Sequence, residues 1–192
     1  MKTESTEKRI VVGISGASGV AYGYEMLKTL RRLGYETHVV ITQGAKHNFL
    51  LETDYTVKDL EEAADVLYRD DDLGARISSG SFLTRGMVVI PCSVKTLSGI
   101  ANSYNANLLV RAADVTLKER RPLVLVVRET PLHQGHLRLM LSAASSGAVI
   151  LPPVPAFYHR PKTIQDLVHQ TIGKILDCLG ISHDVFKRWD GA

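Results

Sequence analysis

The chain has 192 residues and a formal net charge of +3, from 23 lysines and arginines against 20 aspartates and glutamates. Charges so near balance do not indicate a nucleic-acid surface, and no apolar stretch has the length of a membrane span or the form of a signal peptide. Two cysteines without Cys-x-x-Cys spacing indicate neither a disulfide framework nor a zinc knuckle. We therefore predict a cytoplasmic protein with a single domain over residues 1–192, of which residues 1–8 form a flexible N-terminal tail.

Short apolar runs alternate along the chain with segments of helical periodicity. Strands are predicted at residues 9–14, 36–41, 86–90, 123–128 and 148–151. Helices are predicted at residues 20–33, 45–52, 97–102, 107–118, 136–145 and 163–179. The Val-Leu-Val-Val run at residues 124–127 is typical of a parallel strand buried on both faces. The pattern predicts an α/β fold, a three-layer Rossmann-like or flavodoxin-like open parallel sheet with helices on both faces.

The first predicted strand runs into a glycine-rich turn. Gly13, Gly16 and Gly19 let the backbone approach an anion closely, and the helix that follows presents unpaired amides and its positive dipole end. The spacing Gly-x-x-Gly-x-x-Gly differs from the dinucleotide fingerprint, and neither a ribose-binding carboxylate after the second strand nor a P-loop lysine is present. The turn predicts a site for a phosphorylated mononucleotide, with a turn that binds nothing as the alternative.

Reactive and polar side chains follow three later strands. Residues 91–96 read Pro-Cys-Ser-Val-Lys-Thr, residues 128–131 read Arg-Glu-Thr-Pro, and residues 157–160 read Phe-Tyr-His-Arg. Open parallel sheets bind ligands beyond the carboxyl ends of their strands, so we expect these segments to form one rim. The acidic residues 70–72 are interpreted as a solvated loop. No metal site is predicted, because His133 and His136 lack further ligands.

Six segments together carry a resemblance to a known family. They are Gly-Ala-Ser-Gly at residues 16–19, Pro-Cys-Ser at 91–93, Arg-Ala-Ala-Asp-Val at 111–115, Leu-Lys-Glu-Arg-Arg-Pro-Leu at 117–123, Arg-Glu-Thr-Pro at 128–131 and Gly-Ala-Val-Ile-Leu-Pro at 147–152. From about Arg9 to Trp189 the chain resembles the UbiX/Pad-type flavin prenyltransferases, in older usage the B subunit of aromatic-acid decarboxylases. The resemblance implies a metal-free enzyme that joins the dimethylallyl group of dimethylallyl phosphate to N5 and C6 of reduced FMN. The product, prenylated FMN, would serve a UbiD-type decarboxylase.

The resemblance also implies roles for individual residues. The implied catalytic residues are Ser18, Glu52, Lys118 and Glu129. The implied FMN-binding residues are Gly16, Ala17, Ser18, Thr42, Ser93, Val94, Lys95, Thr96 and Arg128. The implied substrate-binding residues are Arg111, Lys118, Arg128, Tyr158, Lys174 and Trp189. Cations suit a poor phosphate leaving group, carboxylates suit the loss of a flavin ring proton, and an aromatic face suits a developing allyl cation.

Several of these assignments have alternatives. Ser18 could instead cap the following helix, and Trp189 could anchor the C-terminal segment. Arg111 stands three residues before Asp114, a spacing that also suits a structural ion pair. The Ser-Gly-Ser segment at residues 79–81 either lines the prenyl pocket or forms a flexible loop.

Two rival functions share the predicted sheet and FMN site. An FMN-dependent cysteine-type decarboxylase would carry a Pro-Ala-Ser-Ala-Asn-Thr type segment where this chain has Pro-Cys-Ser-Val-Lys-Thr. A non-enzymatic FMN carrier subunit would have little need for Glu52, Glu129, Lys118, Tyr158 and Lys174 together. The family resemblance further implies a homo-oligomer, commonly a dodecamer, with active sites at subunit contacts. Neither nucleic acid nor a membrane is a predicted partner.

Overall fold

The computed structural model describes residues 8–189 and 191. Six parallel strands form one sheet: β1 (Arg9–Ile14), β2 (Glu36–Ile41), β3 (Val66–Tyr68), β4 (Gly86–Cys92), β5 (Leu123–Val127) and β6 (Val149–Ile150). Their order across the sheet is β3-β2-β1-β4-β5-β6. The predicted open parallel sheet is confirmed. Residues 1–7 of the predicted N-terminal tail lie outside the described residues.

Helices connect the strands and cover both faces of the sheet. In the described residues they are α1 (Val20–Arg32), α2 (Gln43–Glu52), α3 (Val57–Glu62), α4 (Val94–Ala101), α5 (Leu108–Lys118), α6 (Gln134–Ser145) and α7 (Ile164–Cys178), with a short 3-10 helix at Arg76–Ser78. None of these helices combines the length and the apolar character that crossing a membrane requires.

The sequence analysis missed α3 and β3. The helix α3 begins with a capping box in which Thr56 and Asp59 bond each other's backbone amides, a Thr-x-x-Asp signature that the sequence displays. The strand β3 spans three residues at the sheet edge, and its central residue Leu67 is exposed. A strand this short carries too little apolar pattern to be recognised.

Several predicted boundaries were also wrong. The helices α2, α4 and α6 begin two or three residues earlier than predicted, because Thr42, Ser93 and His133 act as their N-caps. The strand β4 continues to Cys92 through an irregularity after Val89, which fits a proline that has no amide to donate. The predicted ends 128 and 148–151 shorten to the bounds of β5 and β6.

Two apolar clusters, one on each face of the sheet, form the core. Alternate residues of β1 point to opposite faces, so that Ile10 and Val12 join one cluster and Val11 joins the other. A β-carbon added to Gly13 would lie only 2.9 Å from Cγ of Leu109. Glycine in this central strand therefore lets α5 pack directly against the sheet.

The strand order reverses direction at β1. The chain moves outward from β1 to β2 and β3, and then crosses to the other side of β1 to form β4. In open α/β sheets, this change of direction leaves a crevice beyond the carboxyl ends of the two strands. The fold thus places the ends of β1 and β4 at the position where a ligand is expected.

Candidate active site

A buried serine ties the ends of β1 and β4 together. The Ser15 hydroxyl donates to the Pro91 carbonyl at 2.9 Å and accepts the Ser93 amide at 2.8 Å. The Ser15 side chain is almost fully buried, and the bond to Pro91 is buried while the bond from Ser93 is part-buried. Sequence reasoning named the three residues after Ser15 but not Ser15 itself. The one feature of the sequence that could have pointed to Ser15 is a polar residue directly after an apolar strand.

The glycine-rich turn after β1 touches the loop after β2. A β-carbon on Gly16 would lie 3.0 Å from Cα of Gly44, so neither position has room for a larger residue without movement. Thr42 accepts the Ala45 amide at 3.2 Å and caps α2. Gly19 has φ +90°, a left-handed conformation that favours glycine. The turn is therefore held at a fixed distance from the start of α2.

The helix α4 also begins at this edge of the sheet. The Ser93 hydroxyl accepts the Thr96 amide at 3.2 Å and donates to the Thr96 hydroxyl at 3.1 Å. The first amides of a helix have no partner within the helix, and they carry the positive end of the helix dipole. The backbone at Val94 and Lys95 is therefore suited to bind a phosphate.

These elements enclose a cavity of about 1080 Å³. Its lining includes Gly16, Thr42, Gln43, Gly44, Asp70, Ser93, Val94, Lys95, Thr96, Gly99, Asn107, Val110 and Glu129. Six of the nine residues predicted to bind FMN are in this set. The volume lies just above the usual range for ligand pockets, roughly 300–1000 Å³. Two helix starts, their capping hydroxyls and the glycine at residue 16 of the turn fit a phosphorylated ligand such as FMN.

The remaining predicted FMN-binding residues lie beside the cavity. Ala17 and Ser18 follow Gly16 in the same turn, and Ser18 is exposed. Arg128 is also exposed, and its amide donates to the Cys92 carbonyl at 3.1 Å, which fixes it directly beyond the ends of β4 and β5.

The two predicted catalytic carboxylates occupy different positions. Glu129 lines the cavity and is exposed, and its side chain accepts the amide of Thr130 at 3.0 Å. The Glu52 carboxylate accepts the amides of Gly19 at 2.7 Å and Val20 at 3.3 Å. Glu52 thus caps α1 from a neighbouring element and lies next to the turn that holds Ser18. Ser18 itself makes no cap hydrogen bond, because Gly19 is the N-cap residue.

Asp70 corrects the prediction of a solvated acidic loop. Its carboxylate accepts the Leu109 amide at 3.3 Å and the Asn107 side-chain amide at 2.9 Å, and its carbonyl accepts the Leu108 amide at 2.8 Å. Burial raises the pKa of the Asp70 carboxyl, although these donors oppose the shift. Asp70 fixes the start of α5 and lines both the large cavity and a second cavity of about 590 Å³.

Arg111 and Lys118 lie on α5, outside the cavity lining. Arg111 donates to the Ser78 carbonyl at 3.2 Å and pairs with Asp114 at 3.0 Å, so the predicted structural ion pair is present. Lys118 pairs with its neighbour Glu119. The helix begins at the cavity, and Lys118 lies about 15 Å further along its axis at 1.5 Å per residue.

Three further predicted substrate-binding residues, Tyr158, Lys174 and Trp189, lie in the C-terminal part of the chain, apart from both the cavity lining and α5. The Tyr158 and Trp189 rings meet edge to face with centroids 6.1 Å apart. Lys174 lies 3.4 Å from Asp177, which also accepts two hydrogen bonds from Arg188 at 2.7 and 3.1 Å. The Arg188 guanidinium lowers the pKa of Asp177 to about 2, so this carboxylate stays ionised. None of the three predicted substrate-binding residues is among those that line the cavity.

Metal-binding groups do not converge on this edge. Within residues 8–189 and 191, no three His, Cys, Asp or Glu side chains cluster as a metal site would require. The His133 and His136 rings lie 3.6 Å apart, but His133 accepts the Gly135 amide and caps α6.

Comparison with known proteins gives one consistent result. The family model described as Flavoprotein matches residues 1–176. The Flavin prenyltransferase UbiX of Escherichia coli (strain K12) is 57% identical over 188 residues, which cover 96% of this chain and 100% of that protein. The solved structure of AnUbiX in complex with FMN and dimethylallyl pyrophosphate has a TM-score of 0.95 at 47% identity, covering 97% of this chain and 99% of that one. A dodecameric FMN-dependent UbiX-like decarboxylase from Escherichia coli O157:H7 has a TM-score of 0.92 at 46% identity, covering 95% and 100%.

A more distant likeness concerns the fold alone. The FMN-dependent cysteine decarboxylase TvaF from thioviridamide biosynthesis has a TM-score of 0.65 at 16% identity, covering 90% of this chain and 98% of that one. Identity this low shows a shared fold and nothing about activity.

Proposed function

The chain belongs to the UbiX/PAD flavin prenyltransferases within the flavoprotein family, and on that premise we propose how its residues join a dimethylallyl group to reduced FMN. The observation that carries the proposal is a single cavity that combines a phosphate-binding edge with the carboxylate of Glu129. A carrier subunit would need the first feature and not the second.

The flavin is held by backbone and hydroxyl groups at the carboxyl edge of the sheet. We assign its phosphate to the first amides of α4, the hydroxyls of Thr42 and Ser93, and the turn at Gly16. Ala17, Ser18 and Arg128 complete the binding set from beside the cavity. When bound, the reduced flavin supplies the nucleophilic N5 and C6 atoms.

The donor is dimethylallyl phosphate, and its phosphate is the leaving group. Lys118, Arg111, Tyr158, Lys174 and Arg128 supply the positive charge and hydrogen bonds that stabilise the growing negative charge. Since α5 separates Lys118 from the cavity of its own chain, we propose that a neighbouring subunit completes each site in a homo-oligomer, as a dodecamer would allow.

The two carboxylates take different parts. Glu129 lines the cavity, and we assign it the role of accepting the proton that C6 loses when the second bond forms there. Glu52 holds the amides of Gly19 and Val20, so it fixes the turn that presents Ser18 near the flavin. Trp189 and Tyr158 offer aromatic faces to the developing allyl cation.

Family membership also suggests the domain organisation, the recipient of the product and the cellular compartment. We propose that residues 1–192 act as a single flavoprotein domain and that the product is passed to a UbiD-type decarboxylase. Cys92 and Cys178 are both free thiols, which fits work in the reducing cytoplasm.

The test is anaerobic incubation with chemically reduced FMN and dimethylallyl phosphate, followed by mass spectrometry of the released flavin. We expect a five-carbon gain in mass. Flavin that is bound but returned unmodified, with both the monophosphate and the pyrophosphate donor, would favour a carrier. Release of carbon dioxide from a peptide with a C-terminal cysteine would favour the decarboxylase function.

A further inference from the structure

The segment at residues 79–81, here called the serine turn, lies against the end of α5. The hydroxyls of Ser79 and Ser81 are 2.8 Å apart, and both residues are exposed. Just before the turn, Arg111 donates to the Ser78 carbonyl. Just after it, the Arg9 guanidinium lies over the Phe82 ring, with Cζ 5.1 Å from the ring centroid. The turn is therefore held at both ends rather than being a free loop.

Gly80 brings the serine turn into direct contact with a predicted phosphate-binding cation. A β-carbon on Gly80 would lie 2.9 Å from Nζ of Lys118 and 2.1 Å from Oε1 of Glu119. No side chain fits at this position unless the Lys118–Glu119 pair moves away. The Lys118 ammonium, its partner carboxylate Glu119 and the serine turn thus share one small surface. A phosphate would bind there by taking the place of the Glu119 carboxylate on Lys118, with the two serine hydroxyls as further donors.

Arg121 holds the serine turn in this place. Its guanidinium donates to the Gly80 carbonyl at 2.6 Å and to the Phe82 carbonyl at 2.9 Å. The backbone of Arg121 is itself fixed, because α5 ends in a Schellman motif. In this motif the Arg120 amide bonds the Leu117 carbonyl and the Arg121 amide bonds the Thr116 carbonyl, both at 2.9 Å, with Arg120 at φ +56°.

We propose that Arg121 is a positioning residue for the donor phosphate. It makes no contact with the phosphate but fixes the serine turn beside Lys118, so that the hydroxyls of Ser79 and Ser81 and the Lys118 ammonium bind the phosphate together. This inference rests on the proposed function, in which Lys118 binds the leaving phosphate. A planar guanidinium suits the role, since it can bond two carbonyls at once where an ammonium would act as a point charge.

The experiment compares Arg121→Met and Arg121→Lys with the wild type. Dimethylallyl phosphate is titrated calorimetrically into the protein loaded with oxidised FMN, where no transfer occurs, and KM and kcat are then measured with reduced FMN. We expect Arg121→Met to raise both the Kd and the KM for the donor about tenfold, with kcat and the Kd for FMN little changed. Arg121→Lys is expected to lie between the two.

Arg85 provides the matched control. Its guanidinium also donates to two backbone carbonyls, those of Leu179 and Gly180, away from the serine turn. Arg85→Met loses the same kind of bonds, so a merely structural effect would lower the melting temperature in both variants. Only Arg121→Met should weaken binding of the donor.

A double variant tests whether Arg121 acts through this subsite. In Lys118→Met, adding Arg121→Met should weaken donor binding little further, because the two residues serve one subsite. Independent tenfold losses, an unchanged donor Kd in Arg121→Met, or an equal loss in Arg85→Met would each overturn the inference. If the wild type binds the donor but never prenylates FMN, the proposed function fails instead, and the titrations still decide the role of Arg121.

Discussion

Replacing Ser15 by alanine tests the link between the two halves of the site. The hydroxyl is 1% exposed and makes two hydrogen bonds that join the end of β1 to the start of α4. Ser15→Ala removes the donor to the Pro91 carbonyl and leaves the Ser93 amide without its acceptor. Pro91 keeps one bond, from the Ser15 amide at 3.2 Å. The variant therefore loses two hydrogen bonds, and the second loss leaves the Ser93 amide unpaired.

The expected loss of stability follows from these two contributions. A neutral hydrogen bond contributes about 1 kcal/mol, and an unpaired buried donor costs roughly 1–2 kcal/mol more. For a chain of this length, each kcal/mol lowers the melting temperature by about 2–4 °C. We thus expect the ligand-free Ser15→Ala protein to melt about 4–12 °C below the wild type. FMN should also bind more weakly, because the Gly16 turn and α4 are no longer tied.

The assay is a thermal melt at one fixed protein concentration, followed by FMN titration using flavin fluorescence. Ser142→Ala is the control, since its hydroxyl also donates to a carbonyl, that of Ala101 at 3.1 Å, but is exposed. We expect that control to melt within about 2 °C of the wild type. Equal small shifts in both variants, with unchanged FMN affinity, would refute the reasoning about Ser15.

Three further predictions concern the cavity and the C-terminal cluster. Glu129→Gln should retain FMN but slow single-turnover prenylation by about 10²-fold or more, as loss of a general base does; an unchanged rate would remove Glu129 from the chemistry. Gly16→Val should yield protein purified without flavin absorbance, because its β-carbon would meet Cα of Gly44 at 3.0 Å; full flavin content would show that the two loops can separate. The pKa of Asp177 is lowered from 3.8 to about 2, mainly by Arg188, so its stabilising contribution is complete above pH 3.8 and is lost as the pH falls through about 2. The difference in melting temperature between wild type and Asp177→Asn should therefore be constant above about pH 4 and shrink towards pH 2; a gap that persists at pH 2 would contradict the ionic origin.

Local signals in the sequence were sufficient for most of the sheet. The strands β1 and β2 were predicted at their observed bounds, because continuous apolar runs end at glycine or at capping residues. The short strand β3 could not be found in this way, since its pairing with β2 depends on neighbours distant in sequence. Helix starts were predicted too late where they were read from apolar periodicity and not from the capping residue. The helix after Ser93 is an example, since it begins at Val94 and was predicted from residue 97.

The candidate site was less accessible to sequence reasoning. Asp70 reads as one of three solvated acids, and only the fold reveals that it is half-buried against the start of α5. Ser15 gave no signal beyond its position, because its partners lie more than seventy residues away. The direction of α5, which takes Lys118 away from the cavity of its own chain, follows from the parallel sheet and could have been anticipated.

The absence of a side chain at Gly13 makes this position suitable for changing the distance between α5 and the sheet. Leu109 occupies the space that a β-carbon at residue 13 would need, and Val110 of the same helix and its N-cap residue Asn107 line the cavity. A methyl group added at residue 13 would push α5 outward, whereas trimming Leu109 at the same time would let the helix keep its place. The pair therefore offers a way to adjust the width of the cavity from inside the core, without changing a residue that lines it.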